Sequence, residues 1–377
     1  MTLLSERPAV RFLAPRDTFA PAPAERRGLR RDQVRLLVAD EDRGLTHTSF
    51  AHLAEHLAPG DVVVVNDSAT VPAQLDAVST RHGPVVVHLA TGLDDGSWVV
   101  EVRRAPDADR AVLDAEDGDL LSVAAGTTYL RLTEPYPEPG SSPTRTGNRL
   151  WRAVIADGDR VLRGVARRYG RPISYGYLAD RYPLADYQTV FSHRPGSAEM
   201  PSAGRPFTAD LVTRLVSRGV TITPVTLHTG VSSQEAGESP QPEWFEVPGS
   251  SAAVVNAARA GGGRVVAVGT TVTRALESAV VAAADGSARL VARSGWTTRV
   301  VTPLEPPRVV DGLVTGWHDP EASHLLLVEA VAGAELAQQA YEAAVAEGYL
   351  WHEFGDSCLL LPRAEGVRPG RRDQGES

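Results

Sequence analysis

The 377-residue chain contains no lysine, so all 38 of its basic side chains are arginine. Chemistry that needs a lysine amine, such as a pyridoxal Schiff base or the lysine of a Walker-type phosphate loop, is therefore excluded. Cys358 is the only cysteine, which rules out an intrachain disulfide and thiolate clusters for zinc or iron–sulfur. No apolar run approaches the roughly eighteen residues that span a bilayer. The opening MTLLSERPAVRFLAPRD is interrupted by Glu6, Arg7 and Pro8, so no signal-peptide core forms and a cytoplasmic protein is expected. Metal-ligand spacing, a nucleophile elbow and a GxGxxG fingerprint are also missing, and no metal is expected. The net charge of −9 gives no overall attraction to a polyanion, although a local arginine cluster could still hold phosphates. The densest such run is Arg26–Arg35 (RRGLRRDQVR), which reads as a solvated face before an RNA contact.

What is present has the length of two domains and an ordinary composition, 42% hydrophobic and 23% charged. A strand is expected at Val34–Val38, a helix at Ser49–Leu57, and a strand buried on both faces at Asp61–Asp67 (DVVVVND). From about Val71 to Val154 the texture changes to short β-branched runs between turns: GPVVVHL, GSWVVEV, GTTYLRL and WRAVI. An open loop is read at Ser141–Asn148. This pattern predicts a small all-β barrel, residues 71–154, inserted into a discontinuous α/β domain made of 1–70 and 155–362. The polar residues 363–377 are expected to form a disordered tail.

In the second α/β segment, PFTADLVTRLVSRGV predicts a helix capped by Thr208, with Leu211, Val212, Leu215 and Val216 on one face. The strand Thr221–Leu227 follows it. A further strand, Arg264–Val268, turns at Gly269 into a predicted helix Val272–Ala284. Two more helices, His324–Ala332 and Ala334–Glu347, precede a last strand, Cys358–Leu361.

Several of these junctions could carry chemistry. In RVVAVGTTVTRALES the strand-to-helix turn aims backbone N–H groups and the hydroxyls of Thr270 and Thr271 at one point, with Arg274 as a fixed charge for a carboxylate or phosphate. Spacing alone equally allows a plain helix start, with Arg274 on the surface and Glu277 near the dipole. His228, in VTLHTG, sits where a strand meets a loop, and could act as acid, base or hydrogen-bond donor or be merely structural. The segment Asp186–Thr208 keeps Tyr187, Gln188, Glu199 and Arg205 among small residues and prolines. VTGWHDP and FGDSCLL place His318 and Asp356 beside apolar segments, where Asp356 could simply close a turn.

Taken in order, these elements resemble the S-adenosylmethionine:tRNA ribosyltransferase-isomerase family over nearly the whole chain. The resemblance rests on RDQVRLLV, LAPGDVVVVNDSATVPAQL, DYQTVFS, PSAGRPFT, VTLHTG, PEWFEVP, VVAVGTTVTRALES, TGWHDPEASHLLLVEA and FGDSCLL. It implies an α/β domain that binds S-adenosylmethionine as a co-substrate, plus an inserted β-barrel. The implied reaction transfers the ribosyl part to the aminomethyl group of a 7-deazaguanine base in tRNA. Rearrangement to an epoxycyclopentanediol then follows, with loss of adenine and methionine. It further implies cofactor contacts from Asn66, Asp67, Tyr187, Gln188, Thr270, Thr271 and Arg274, and acid–base work by His228 and Glu243. Substrate contacts fall to Arg205, His318 and Asp356, and a monomer is expected. Some positions depart from the family pattern. Arg205 and Pro206 stand where the family has Leu-His, while Glu238 and Gln241 occupy histidine positions before Glu243. ISYGY (Ile173–Tyr177) resembles the family's LPPYI only loosely. Cofactor positions kept beside altered loops point to retained S-adenosylmethionine binding with tRNA, or alternatively a small molecule, as the acceptor. A non-catalytic binding relative is the third possibility.

Overall fold

Four consecutive valines, Val62–Val65, give a strand two apolar faces, and the chain provides a separate cover for each. The computed structural model describes residues 4, 6–13, 18–140, 146–174, 178–232, 237–283, 286–320 and 322–363. Outside those residues lie the tail after 363, residues 141–145 of the expected open loop, and Tyr175–Tyr177 of ISYGY.

The chain opens with an antiparallel pair, β1 (Arg35–Asp40) and β2 (Gly44–Ser49), followed by β3 (Val62–Asn66) and a short β4 (Ser68–Thr70). Next come β5 (Gln74–Ser79), β6 (Gly83–Gly92), β7 (Trp98–Arg104), β8 (Leu120–Val123), β9 (Thr128–Pro135) and β10 (Leu150–Ile155). These six strands close into an antiparallel barrel in the order β10-β7-β6-β5-β8-β9, so no strand edge is left open. α1 (Asp159–Tyr169), β11 (Arg194–Ser197), α2 (Ala209–Ser217), β12 (Thr221–Leu227) and β13 (Glu243–Val247) follow. After them come α3 (Gly249–Ala260), β14 (Val265–Val268), α4 (Thr270–Ser278), β15 (Val280–Ala282), β16 (Ala288–Leu290) and β17 (Arg293–Thr297). The chain closes with β18 (Gly312–Thr315), α5 (Ser323–Ala332), α6 (Ala334–Ala346) and β19 (Ser357–Leu361).

Nine strands form one sheet in the order β17-β13-β12-β3-β14-β18-β19-β1-β2. Its centre, β12-β3-β14-β18, is parallel. Val62 and Val64 face a core built with α3, α4, α5 and α6, whereas Val63 and Val65 face one built with α2 and residues 50–57. The α/β class with an inserted barrel thus agrees with the sequence reading, and the barrel strands β5 and β8 add to the four that the runs identified.

The helix expected at Ser49–Leu57 is present as a 3-10 helix, Phe50–His56; Phe50 and Leu53, three apart, share its buried side, as i,i+3 geometry requires. Two local expectations need correction. α4 stops at Ser278 because Val280–Ala282 pairs with Ala288–Leu290 in a hairpin, so the helix does not reach residue 284. In α2, Thr208 caps the helix by accepting from the Leu211 amide, but Val216 is 58% exposed and only Leu211 and Leu215 are fully buried.

On β6 and β7 the side turned away from the barrel's apolar core carries buried charge. Glu101 accepts from Arg103 and Arg149 at 2.7 and 3.0 Å, and Arg149 also reaches Glu238 at 2.6 Å in the segment before β13. Burial alone would raise the Glu101 carboxyl, yet Arg149, with His88 and Arg103, holds it well below the usual carboxylate range. This chain of ions ties the barrel to the main sheet. Removing one member strands its partners in low dielectric. Arg149→Met is expected to cost about 3–5 kcal/mol, read as a lower denaturation midpoint; a variant as stable as the parent would show that Glu101 and Glu238 find other partners.

Candidate active site

The parallel strands β12, β3, β14 and β18 end on the same edge of the sheet, and their carboxyl ends carry His228, Asn66, Gly269 and His318. The connection leaving β3 runs through α2 on one face, and that leaving β12 runs through α3 on the other. Loops that part in this way open a crevice at the strand ends, the usual ligand position in open α/β sheets.

At β14 the turn into α4 requires Gly269, whose φ is +94°. A Cβ there would also stand 3.3 Å from the Cβ of Ala203, so the segment 202–204 leans directly over the helix start. Among the described residues no side chain caps α4. The first amides, with Thr270 buried and Thr271 half-buried beside them, are left open to an anion and add the positive end of the helix dipole.

Arg274 does not join that opening, nor does it lie on the surface. It is buried, ion-paired with Glu243, and its remaining donors reach the carbonyls of Arg299, Gln241 and Thr297. Glu243 is equally committed, since its second oxygen accepts from the Gly230 amide at 3.0 Å. Burial raises the Glu243 carboxyl against the pull of Arg274. The pair clamps α4, β13 and the segment after β12 together, so both residues shape the site from behind.

Near β3 and β12 the side chains are more open. Asp67 is half-buried, accepts from the Thr226 hydroxyl at 2.6 Å and lies 3.9 Å from Arg194, which also pairs with Glu246. The His228 ring stacks on the indole of Trp244, with centroids 5.2 Å apart and planes at 20°. Its Nδ1 lies 2.8 Å from the Ser68 hydroxyl. Burial lowers the His228 pKa, Asp67 opposes the shift, and Arg194 and Arg163 reinforce it.

The other sequence candidates have partners within the protein. Gln188 accepts from the Thr70 amide and donates to the Thr70 carbonyl, and the Tyr187 carbonyl accepts from the Thr70 hydroxyl. Arg205 is buried, pairs with Glu25, donates to the Asp186 carbonyl and lies over the Phe354 ring. Asp356 accepts from the amides of Arg35 and Leu350, closing a turn. His318 contacts the Thr315 hydroxyl at 3.0 Å and stacks on His324. Sequence reasoning missed Ser68, Ser197, Gly196 and Trp244. Ser68 lay within a quoted motif, but nothing in the spacing shows that it meets a histidine 160 residues away.

The family model described as "Queuosine biosynthesis protein" matches residues 9–360. An S-adenosylmethionine:tRNA ribosyltransferase-isomerase of Symbiobacterium thermophilum is 35% identical over 360 residues, covering 92% of this chain and 97% of the relative. A protein of the same name from Thermus thermophilus is also 35% identical, over 88% of this chain and 93% of its own length. A crystal structure of S-adenosylmethionine tRNA ribosyltransferase from Thermotoga maritima is 25% identical and covers 93% of this chain and 99% of that one, with a TM-score of 0.49.

The half-buried imidazole of His324 makes a pH prediction. Burial, with Arg274 nearby, lowers His324 to about 4, while the unfolded chain takes up this proton near about 6.5. Between those values the unfolded state binds the proton and the native state does not, so stability is full above about pH 6.5 and is lost as pH falls toward 4. His324→Gln should flatten that acid-side decline by about 3 kcal/mol, measured by thermal unfolding between about pH 7.5 and 4. An unchanged slope would rule out His324 as its source.

Proposed function

We propose that this chain, which belongs to the queuosine biosynthesis protein family, transfers and isomerises the ribosyl moiety of S-adenosylmethionine onto 7-aminomethyl-7-deazaguanine in tRNA. The products are epoxyqueuosine, adenine and methionine. The reading is carried by the uncapped start of α4 at the carboxyl edge of the parallel strands, closed over by Ala203 and flanked by Asp67 and His228. Amides at a helix start suit the methionine carboxylate. The half-buried Asp67 carboxylate suits the cationic end of the molecule, where the sulfonium makes the C5′ hydrogens acidic enough for a positioned base to begin the reaction. In this reading Asn66, Tyr187, Gln188, Glu243 and Arg274 hold the walls, and the ligand itself meets Asp67, His228, Thr270 and Thr271.

A polyanionic acceptor needs positive charge near that edge, and α1 is the element that offers it. Leu162, Val165 and Ala166 bury one side of α1 in the barrel core. The opposite side exposes Arg160, Arg163, Arg167 and Arg168, with Asp159 as the one acidic residue of the helix, paired to Arg163. Arg163 is among the charges that lower the His228 pKa, which supports reading this face as the neighbour of the crevice. The Arg26–Arg35 run, by contrast, is occupied internally: Arg26 pairs with Asp186, Arg30 with Asp32 and Arg31 with Glu25.

Incubation with tRNA carrying the precursor base should release adenine and methionine in equal amounts, followed by mass spectrometry. Release without RNA, or none with it, would overturn the proposal. Excess S-adenosylmethionine should stabilise the protein by about 2.7 kcal/mol at a hundredfold excess over Kd. Replacing Arg160, Arg167 and Arg168 with alanine should raise KM for tRNA and flatten the salt dependence of binding. The log–log slope should fall by about one unit for each phosphate no longer neutralised, with the S-adenosylmethionine affinity unchanged.

A further inference from the structure

We infer that Ser68 and Ser197 are positioning residues that hold His228 as its Nε2–H tautomer, so that the ring meets its ligand as a hydrogen-bond donor rather than a proton acceptor. The inference rests on reading this edge as the S-adenosylmethionine site. β4 and β11 lie side by side in parallel, which brings Ser68 and Ser197 together under the end of β12. The Thr229 amide donates to Ser197 Oγ at 3.1 Å. Ser197 Oγ lies 2.6 Å from Ser68 Oγ, and Ser68 Oγ lies 2.8 Å from His228 Nδ1. Both serines are fully buried.

Each hydroxyl has a single proton, so the chain can point only one of two ways. In the first, the amide donates to Ser197, Ser197 donates to Ser68, and Ser68 donates to Nδ1. Every proton then has an acceptor. In the second, Nδ1–H donates to Ser68 and Ser68 to Ser197, and the Ser197 proton has no acceptor among the described residues. A buried donor without an acceptor is the costly outcome, so the first direction prevails. Nδ1 is then filled, and the proton of the neutral ring sits on Nε2.

The ring cannot turn over to exchange its edges. Trp244 stacks on it, and Gly196 approaches so closely that a Cβ would lie 2.5 Å from ring atoms Cε1 and Nδ1. Burial, reinforced by Arg194 and Arg163, keeps the imidazole neutral near neutral pH although Asp67 favours its charged form. A neutral ring held this way has no free lone pair with which to remove a C5′ proton. It can stabilise an oxygen or ring nitrogen of the sulfonium nucleoside as negative charge develops there.

The tautomer can be read directly. Long-range proton–nitrogen correlation spectra of the full-length protein, with His228 assigned by the loss of its signals in His228→Gln, should place the proton on Nε2, both free and with S-adenosylmethionine. In Ser68→Ala the spectrum should shift toward a mixture, and Ser68→Thr should restore it. Glutamine offers a donor at the ε position but no base. His228→Gln should therefore keep kcat within about tenfold, while His228→Ala loses about a hundredfold or more in kcat. A proton on Nδ1 in the parent protein, or a glutamine variant as inactive as alanine, would overturn the inference. If the parent protein turns over no tRNA at all, the functional reading fails, and the nitrogen spectrum still decides the tautomer.

Discussion

At the end of β3 the amide of Asn66 takes the place of a backbone ladder rung. Its nitrogen donates to the Leu227 carbonyl, and its oxygen accepts from the amides of Leu227 and Ser68. Three backbone groups at two strand ends are thereby satisfied by one buried side chain, which an unpaired edge in this position could not tolerate. Ser68 is itself one of the two residues that Asn66 joins, and His228 directly follows the other, Leu227. Their separation, and everything built upon it, is inherited from this bridge. An aspartate would lack the donor and a glutamine would lengthen the span.

Behind the crevice the same economy uses arginine. A guanidinium presents a planar fork of donors that can serve several acceptors at once. Arg274 binds a carboxylate and three carbonyls, Arg205 a carboxylate, a carbonyl and a ring, and Arg149 two carboxylates. Lysine, a point charge, would not connect as many elements. The arginine and glutamate at the positions that depart from the family pattern, Arg205 and Glu238, are both absorbed in this way. Arg205 ties Glu25 to residues 186–205, and Glu238 completes the ionic chain that runs into the barrel. Those departures thus have a structural use, and the open edge of the sheet keeps its own set of groups.

Much of the architecture was readable from local pattern. Valine runs, turn spacing and the Thr208 cap follow from side-chain periodicity and short-range hydrogen bonding, which depend on neighbours along the chain. Where the reading missed, the deciding partner was distant. α4 ended early because Val280–Ala282 found a second strand, and the runs around β5 and β8 became strands only through closure of the barrel. The partner of Arg274 was equally out of reach of the sequence: that Glu243 meets it from β13 is a fact of packing, not of spacing.

The sequence by itself determined the class of fold, the absence of lysine and thiolate-cluster chemistry, the family, and the strand-to-helix turn at Gly269. Tertiary structure alone decided which polar side chains remain open at the site. Residues such as His228, Glu243, Arg274 and Asp356 carry equal chemical promise as letters. Only the three-dimensional arrangement of their partners separates groups already satisfied from those still able to meet a ligand, because a buried hydrogen-bonding group is committed by whatever lies within about 3 Å of it.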